Sequence, residues 1–370
     1  MLIARHWQLL ATIIERRSLL NLATNEGFIT NNRGLRTLIV GIDIRQNLSL
    51  TFVVINACLR ARHGNQDLAL QTFWFKLCNL LAAPLTPLFM FDGDGRPDYK
   101  RGNQRTGDIP AALTAQFKKL ITAFGFHFHV APGEAEAELA HLNKLGFIDV
   151  VITEDSDAIV FGAPCVMRLT GPYVTDATQI YRANAIAAAP LSLDEDGLLL
   201  FVLLVGGDYD PGIPNCGPKI AHALGRCGFG RKLRQVISGS RQGIEGRLNI
   251  WRAALRSELR TNTSGILDKR HPNVADSIPD DFPNLGIIEL YTDPLTSWSS
   301  RFTGIPPDTS LWVPREPVVN QVYDFCITYF GWQDVIMDRL KANLWPGVSL
   351  QMISSVRGSI LPSTRLSDRS

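Results

Sequence analysis

Carboxylates recur in this sequence at the positions where open α/β sheets gather their ligands, the carboxyl ends of strands. Gly41-Ile42-Asp43 and Phe91-Asp92-Gly93 each bring an apolar run to an aspartate, and Thr153-Glu154-Asp155-Ser156-Asp157 follows a third such run. Gly133-Glu134-Ala135-Glu136 opens an Ala/Glu/Leu-rich stretch just before that third run. From Ala131 to Asp157 seven acids face one base, Lys144. Carboxylates brought together repel and raise one another's pKa unless cations neutralise them. Oxygen donors with almost no His or Cys nearby select a hard divalent ion, Mg²⁺ with Mn²⁺ as its substitute, over Zn²⁺. The competing reading is a solvated acidic helix face plus strand-end caps; repetition at several strand ends weighs against it. Spacing adds a condition, because Glu134 and Glu136 at i and i+2 diverge on a regular helix. Both serve only if the first turn lets one coordinate directly while the other reaches a second metal or a bound water. Asp155 and Asp157 meet the same condition if they sit in an extended or turning segment leaving the strand.

The elements that must position these groups follow from hydrophobic period. Segments 37–43, 86–92, 126–130, 149–153 and 165–168 are rich in β-branched and aromatic residues and bounded by turn signals, which predicts buried strands. Segments 67–83, 111–124 and 133–145 repeat apolar residues at helical spacing, the last behind Pro132, which suits a helix start. Strands alternating with helices predict a parallel α/β sheet flanked by helices, over residues 1–192. Residues 193–270 read as a second, helical unit. Residues 271–353 hold many prolines and the tryptophans Trp298, Trp312, Trp332 and Trp345, predicting loops pinned by aromatic anchors with one helix at 318–332. Residues 354–370 read as a frayed tail.

Composition and charge bound the partners. With 370 residues, 45% hydrophobic and 19% charged, the chain is neither disordered nor fibrous. The longest apolar run, 198–205, is far short of the roughly 20 residues of a membrane span, so no membrane partner is expected. Six cysteines without a C-x-x-C pair favour a reducing setting over a disulfide framework or a zinc site. The net charge of +2 conceals a segregation: residues 214–270 carry twelve bases and three acids, a net of +9, which leaves −7 elsewhere. That block, with Lys219, Arg231 and Lys232, follows Gly206-Gly207-Asp208-Tyr209-Asp210-Pro211-Gly212-Ile213-Pro214-Asn215-Cys216-Gly217-Pro218-Lys219, which reads as helix, glycine turn, helix. Gly212 and Gly217 allow backbone N–H groups to approach an anion, and the next helix adds its dipole. A basic helical unit beside an acidic crevice is what a nuclease needs, one surface to hold phosphates and another to cut.

These pieces, in this order, resemble the XPG family of structure-specific nucleases, from about Trp7 to Trp332. Residues 131–140 followed by 149–162 resemble its internal nuclease motif, 206–221 its helix-two-turn-helix, and Phe91-Asp92-Gly93 with Pro97, Lys100 and Arg101 its N-terminal motif. Phe325-Cys326 and Phe330-Gly331-Trp332 are most similar to the fungal Holliday-junction resolvase branch. The resemblance implies a PIN-like fold and metal ligands at Asp43, Asp92, Glu134, Glu136, Asp155, Asp157 and Asp208; only Asp208 was not already marked by the acidic pattern. It implies hydrolysis of DNA phosphodiesters by two Mg²⁺ ions about 4 Å apart, with Asp92, Glu134 and Asp155 central and Lys100 neutralising the scissile phosphate. Gly212, Gly217 and Lys219 would grip duplex backbone, with K⁺ in the turn. The expected partner is flapped or branched double-stranded DNA, with a dimer on four-way junctions. The expected compartment is the nucleus, a mitochondrial presequence being the alternative. Departures accompany the matches: Leu2 stands where the family has Gly, Ile44-Arg45-Gln46-Asn47 follow Asp43 where a small residue, then Ser and Trp, are usual, Gln71 stands where Arg is common, and 102–108 is poor in lysine. The rival function is therefore a nuclease-fold DNA-binding protein with little or no catalytic activity.

Overall fold

The computed structural model describes residues 7–31, 33–47, 66–97, 99–100, 103–104 and 109–358; Leu2, Arg101, residues 105–108 and the tail beyond 358 lie outside the described residues. In chain order the strands are β1 (Glu15–Ser18), β2 (Leu38–Asp43), β3 (Leu85–Phe91), the short pair β4 (Tyr99–Lys100) and β5 (Asn103–Gln104), β6 (His127–Val130), β7 (Val150–Ile152), β8 (Cys165–Leu169) and β9 (Ala177–Arg182). All but β4 and β5 form one sheet in the order β1-β9-β8-β7-β2-β3-β6. The strands β8, β7, β2, β3 and β6 are parallel, and they are the five that the apolar runs predict. The sheet then continues antiparallel through β9 and β1. That edge escapes a hydrophobic reading because β1 is Glu-Arg-Arg-Ser. It is held by side chains instead: Arg17 reaches Glu15 and Glu26 at 3.0 and 2.7 Å, and Arg182 reaches the same two at 2.9 and 2.8 Å.

Alternation along the parallel strands sends successive side chains to two cores. Val40, Ile42, Phe89 and Phe91 share a core with α2 (Gln66–Leu81), α3 (Ala111–Ala123) and Ile44 of the short helix α1 (Ile44–Asn47) that leaves β2. Ile39, Leu88, Met90 and Val151 face α4 (Ala135–Lys144) through Leu139 and Leu142, while α5 (Asp157–Val160) caps the end of β7.

A third core belongs to the helical unit: α6 (Glu195–Val205), α7 (Pro218–Arg226), α8 (Phe229–Ile237), α9 (Ile244–Thr261), α10 (Pro272–Ser277) and α11 (Leu285–Thr292). Leu200, Leu204, Leu224, Leu233, Trp251 and Leu255 fill it, and it runs on past residue 270 through Phe282, Ile288 and Tyr291. Every residue of α6 from Leu198 to Val205 is buried, which is why that helix is apolar all round. Among the described residues no helix is long and apolar enough to cross a membrane.

The Pro/Trp-rich region returns to the sheet. Trp298 stacks on His141 and Phe147 at 5.7 and 5.6 Å, Trp312 lies 6.3 Å from His129, and Trp332 meets Trp74 edge-on at 5.2 Å. Trp345 departs from the expectation of an anchor and stays 41% exposed. Helix α12 (Val319–Phe330) lies where a helix is predicted, and α13 (Trp345–Gly358) continues into the stretch expected to fray. It does so because its first turns dock: Val348 is buried and Gln351 donates to the Ala83 carbonyl at 3.3 Å, at the end of α2. Since Trp332 is the wedge of this docking, Trp332→Ala should remove about 3–5 kcal/mol of stability in urea unfolding followed by far-UV circular dichroism. A loss below about 1 kcal/mol, the level of a surface change, would mean that the C-terminal region does not brace α2.

Candidate functional site

Adjacency of β7, β2 and β3 brings three carboxyl ends together. Asp43 closes β2, Asp92 follows β3, and Asp155 follows β7. Beyond β7 the chain turns on its own polar groups. Thr153 Oγ1 accepts the Asp155 N–H and Asp155 Oδ1 accepts the Asp157 N–H, each at 3.0 Å, so both aspartates leave a turning segment, as their spacing requires. Trp7 fixes this turn from outside: its Nε1 donates to the Glu154 carbonyl at 3.2 Å. Arg168 lies over the Trp7 ring at 4.4 Å and pairs with the Glu154 carboxylate at 2.9 Å. At α4 the i, i+2 conflict is resolved by a boundary. Glu134 is the N-cap residue in extended conformation, φ −80° and ψ 140°, and only Glu136 lies in the first helical turn.

Asp155 and Asp157 meet Asp208, which the turn after α6 delivers from the helical unit. One carboxylate oxygen from each lies within 4.8 Å of the others, and the three residues are 0%, 2% and 2% exposed. The turn is a closed device. Gly207 N–H donates to the Asp210 carbonyl at 2.9 Å and Gly212 N–H to Asp210 Oδ1 at 2.6 Å. Gly212 has φ +79°, and a Cβ there would lie 2.4 Å from the Gly206 nitrogen. Gly212 is thus a glycine because two backbones touch, and its N–H is engaged by Asp210. Gly217 starts α7, with nothing within 4 Å of where a Cβ would be.

Two tyrosines tie the turn to the acids. Tyr209 donates its hydroxyl to Glu134, and Tyr291 of α11 donates to Asp157 Oδ2 at 3.4 Å. Burial, with Asp157, Asp208 and Asp155 around it, pushes the Tyr291 phenol well above its usual pKa, so it remains a donor.

Asp43, Asp92, Glu134 and Glu136 lie outside the three-aspartate group. Asp43 Oδ1 accepts the Arg45 N–H at 2.9 Å. Asp92 holds two guanidiniums, Arg45 at 3.0 Å and Arg96 at 2.6 Å, while its other oxygen accepts the Ala135 N–H at 2.9 Å. That last bond fastens Asp92 to the start of α4, between Glu134 and Glu136, where the helix N-terminus favours negative charge. The two loops are stitched further by Gly93 N–H to the Gly133 carbonyl at 2.8 Å; a Cβ at Gly93 would lie 1.9 Å from the Ala131 oxygen. Beside Asp92 a cleft of about 180 Å³ is lined by Arg45, Arg96 and Lys118. Lys100 lies in β4, opposite Asn103. The remaining acids of the run are structural: Glu138 meets His129 and the Ser297 N–H, Asp149 meets Arg33 and the Ile39 N–H, and Glu154 meets Arg168.

Pairing also sharpens the basic block. Arg231, Arg234, Arg256 and Arg260 bridge Asp194, Asp196, Asp280 and Asp276, acids just outside the window that gave +9, and Arg252 is buried on Glu245 and the Phe282 carbonyl. Arg231 is therefore partly neutralised, although it remains on the surface. Lys219, Arg226, Lys232, Arg241, Lys269 and Arg270 form no ion pair within 4.0 Å among the described residues. Arg45, Arg96, Tyr209 and Tyr291 are the site residues that a search for carboxylates misses. Tyr209 adjoins Asp208, whereas Tyr291 carries no local signal at all.

The donors suit a divalent cation: three buried carboxylates converge with oxygen ligands only, the set that hard ions take. Comparison with known proteins agrees with the geometry. The profile of the XPG I-region matches residues 125–208, which include Glu134, Glu136, Asp155, Asp157 and Asp208. Flap endonuclease 1 of Methanocella arvoryzae is 28% identical over 218 residues, 48% of this chain and 64% of that protein. Flap endonuclease GEN-like 1 of Arabidopsis thaliana is 42% identical over 94 residues, 25% of this chain and 16% of that protein. The chain thus spans less than two thirds of the curated relatives it matches. Among solved structures, the Holliday junction-resolving enzyme GEN1 in complex with product DNA and Mg²⁺ superimposes with a TM-score of 0.71 at 30% identity, covering 95% of this chain and 80% of that one. The catalytic core of Rad2 with DNA substrate, at 20% identity and a TM-score of 0.64, shares the fold. A sheet that ends in paired acids, a helical turn that returns one more, and a relative aligned across nearly the whole length lead to one conclusion: the chain belongs to the XPG nuclease family.

Proposed function

We propose that this protein is a structure-specific DNA endonuclease that hydrolyses phosphodiester bonds at 5′-flaps or four-way junctions with Mg²⁺. The observation that carries the reading is the buried Asp155, Asp157 and Asp208 group, built jointly by the sheet and by the basic helical unit. Asp155, Asp157 and Asp208 would hold one ion, and Asp43, Asp92, Glu134 and Glu136, gathered at the same sheet end, would complete a second position. When bound, divalent ions make water a nucleophile at neutral pH and stabilise the leaving oxygen. The chain's own residues do the rest. Arg45 and Arg96 hold the Asp92 carboxylate in place and, with Lys118, make that flank of the site attractive to a phosphodiester; Lys100, as the resemblance implies, would neutralise the scissile phosphate. The start of α7 at Gly217, with Lys219 and Lys232 exposed, presents N–H groups and positive charge to duplex phosphates.

K⁺ in the turn between α6 and α7 belongs to the same proposal, supported by GEN-1 structures binding potassium, sodium and cesium. Flapped or branched DNA as partner is supported by the names of the relatives and by GEN1 with product DNA. Two copies acting on a four-way junction, and action in the nucleus, extend it.

Two measurements test the proposal. Incubated with 5′-flap, nicked and four-way-junction DNA in Mg²⁺, the protein should cut near the junction of single and double strand, and Asp155→Asn should abolish cutting while leaving DNA binding. No product at any Mg²⁺ or Mn²⁺ concentration would leave the rival, a nuclease-fold DNA-binding protein. In thermal melts, Mn²⁺ at a hundredfold excess over Kd should stabilise the wild type by about 2.7 kcal/mol. Asp155→Asn should melt higher than wild type without metal, because one like charge is gone, and should lose most of the Mn²⁺ shift. An undiminished shift in that variant would remove the three aspartates from the ion's ligands.

A further inference from the structure

Tyr291 belongs to the last helix of the helical unit, α11, and its side chain reaches the acidic group. It is 4% exposed, and the ring is clamped between Tyr209, edge-on at 4.9 Å, and Phe161 at 5.7 Å. The hydroxyl donates to Asp157 Oδ2 at 3.4 Å, and its own oxygen faces the main-chain N–H of Asp208. Room for it is made by Gly207, where a Cβ would lie 2.2 Å from the hydroxyl. One phenol therefore contacts two of the three clustered aspartates, the first through its side chain and the second through its backbone. Phenylalanine would fill the ring volume without bringing a polar atom into the interior, where a hydroxyl needs partners to avoid a desolvation penalty. The packing thus accounts for the ring and leaves the hydroxyl to be explained.

We propose that Tyr291 is a positioning residue of the metal centre, whose hydroxyl fixes how Asp157 presents its carboxylate and where the Asp208 main chain sits. The proposal rests on the reading of the three aspartates as ligands and adds a residue that does not itself touch the ion. Groups that hydrogen-bond a ligating carboxylate hold its orientation, and their loss typically weakens metal binding about 10–100-fold. Tyr209 plays the matching part at Glu134, and the two rings in contact tie the α4 acids to the β7 acids through the helical unit.

The test is Mn²⁺ titration calorimetry on the full chain without DNA, comparing wild type with Tyr291→Phe, alongside melts without metal. The expected result is a Kd for Mn²⁺ raised about 10–100-fold with the metal-free melting midpoint unchanged. In cleavage assays the Mg²⁺ concentration for half-maximal rate should rise by the same factor, while the rate at saturating Mg²⁺ is restored. A Tyr291→Phe protein that binds Mn²⁺ as tightly as wild type overturns the inference and leaves the metal reading intact. A parallel fall in metal-free midpoint and affinity, not recovered by saturating metal, also overturns it, since that is the signature of a packing role. Absence of Mn²⁺ binding by the wild type would overturn the metal reading itself, and this inference with it.

Discussion

Three aspartate side chains with oxygens inside 4.8 Å of one another, all buried, set like charges together in a place where water screens them poorly. No single element could supply this arrangement. Asp155 and Asp157 are adjacent only because the chain turns on Thr153 and Asp155 as it leaves β7, and Asp208 arrives from a separate helical core through a turn closed by Asp210. The acidic group therefore depends on both the sheet and the helical unit to be held closed. A cation reached by all three carboxylates relieves the repulsion, which makes affinity for a hard ion and stability of the centre two faces of one interaction.

The two flanks of the site are held by different means. On the β3 side, Asp92 is anchored by two guanidiniums and a helix-start N–H, charge against charge. On the helical side, Tyr209 and Tyr291 brace Glu134 and Asp157 with neutral donors. The difference has a chemical consequence. Arginines lower the negative charge at Asp92 and leave positive charge facing the neighbouring cleft, whereas phenols orient carboxylates without neutralising them, which preserves the charge a metal needs. Arg45, in the stretch after Asp43 that departs from the family pattern, is thus a working part of the β3 flank.

Much of this was legible in the sequence, and what was hidden had a reason. The central parallel strands β2, β3 and β7 announce themselves as apolar runs because both their faces are covered. The charged edge strand β1 does not, because its hold is the Arg17, Arg182, Glu15 and Glu26 network. Carboxylates at strand ends were visible from spacing alone, while Asp208 needed the family resemblance, since a turn aspartate has no period. Tyr291 lay beyond either route: its role exists only once α11 is packed against α5 and the α6 turn. Gly212 shows a similar limit, since a glycine serving an anion and a glycine serving a neighbouring backbone read alike in one dimension.

Charge shows the same limit. A net of +2 divides into a basic block and an acidic remainder, but the fold then pairs Arg231, Arg234, Arg256 and Arg260 with acids beyond the block, so the surface offered to phosphates is narrower than the count implies. What remains central is the convergence of three aspartates from two cores on one cation. Anomalous diffraction from crystals grown with Mn²⁺ tests it most directly. The account predicts a Mn²⁺ peak within about 2.0–2.6 Å of oxygens from Asp155, Asp157 and Asp208 together, the range of hard-ion ligation. Ordered crystals at saturating Mn²⁺ with no peak there, or a peak that Asp208 does not touch, would contradict it.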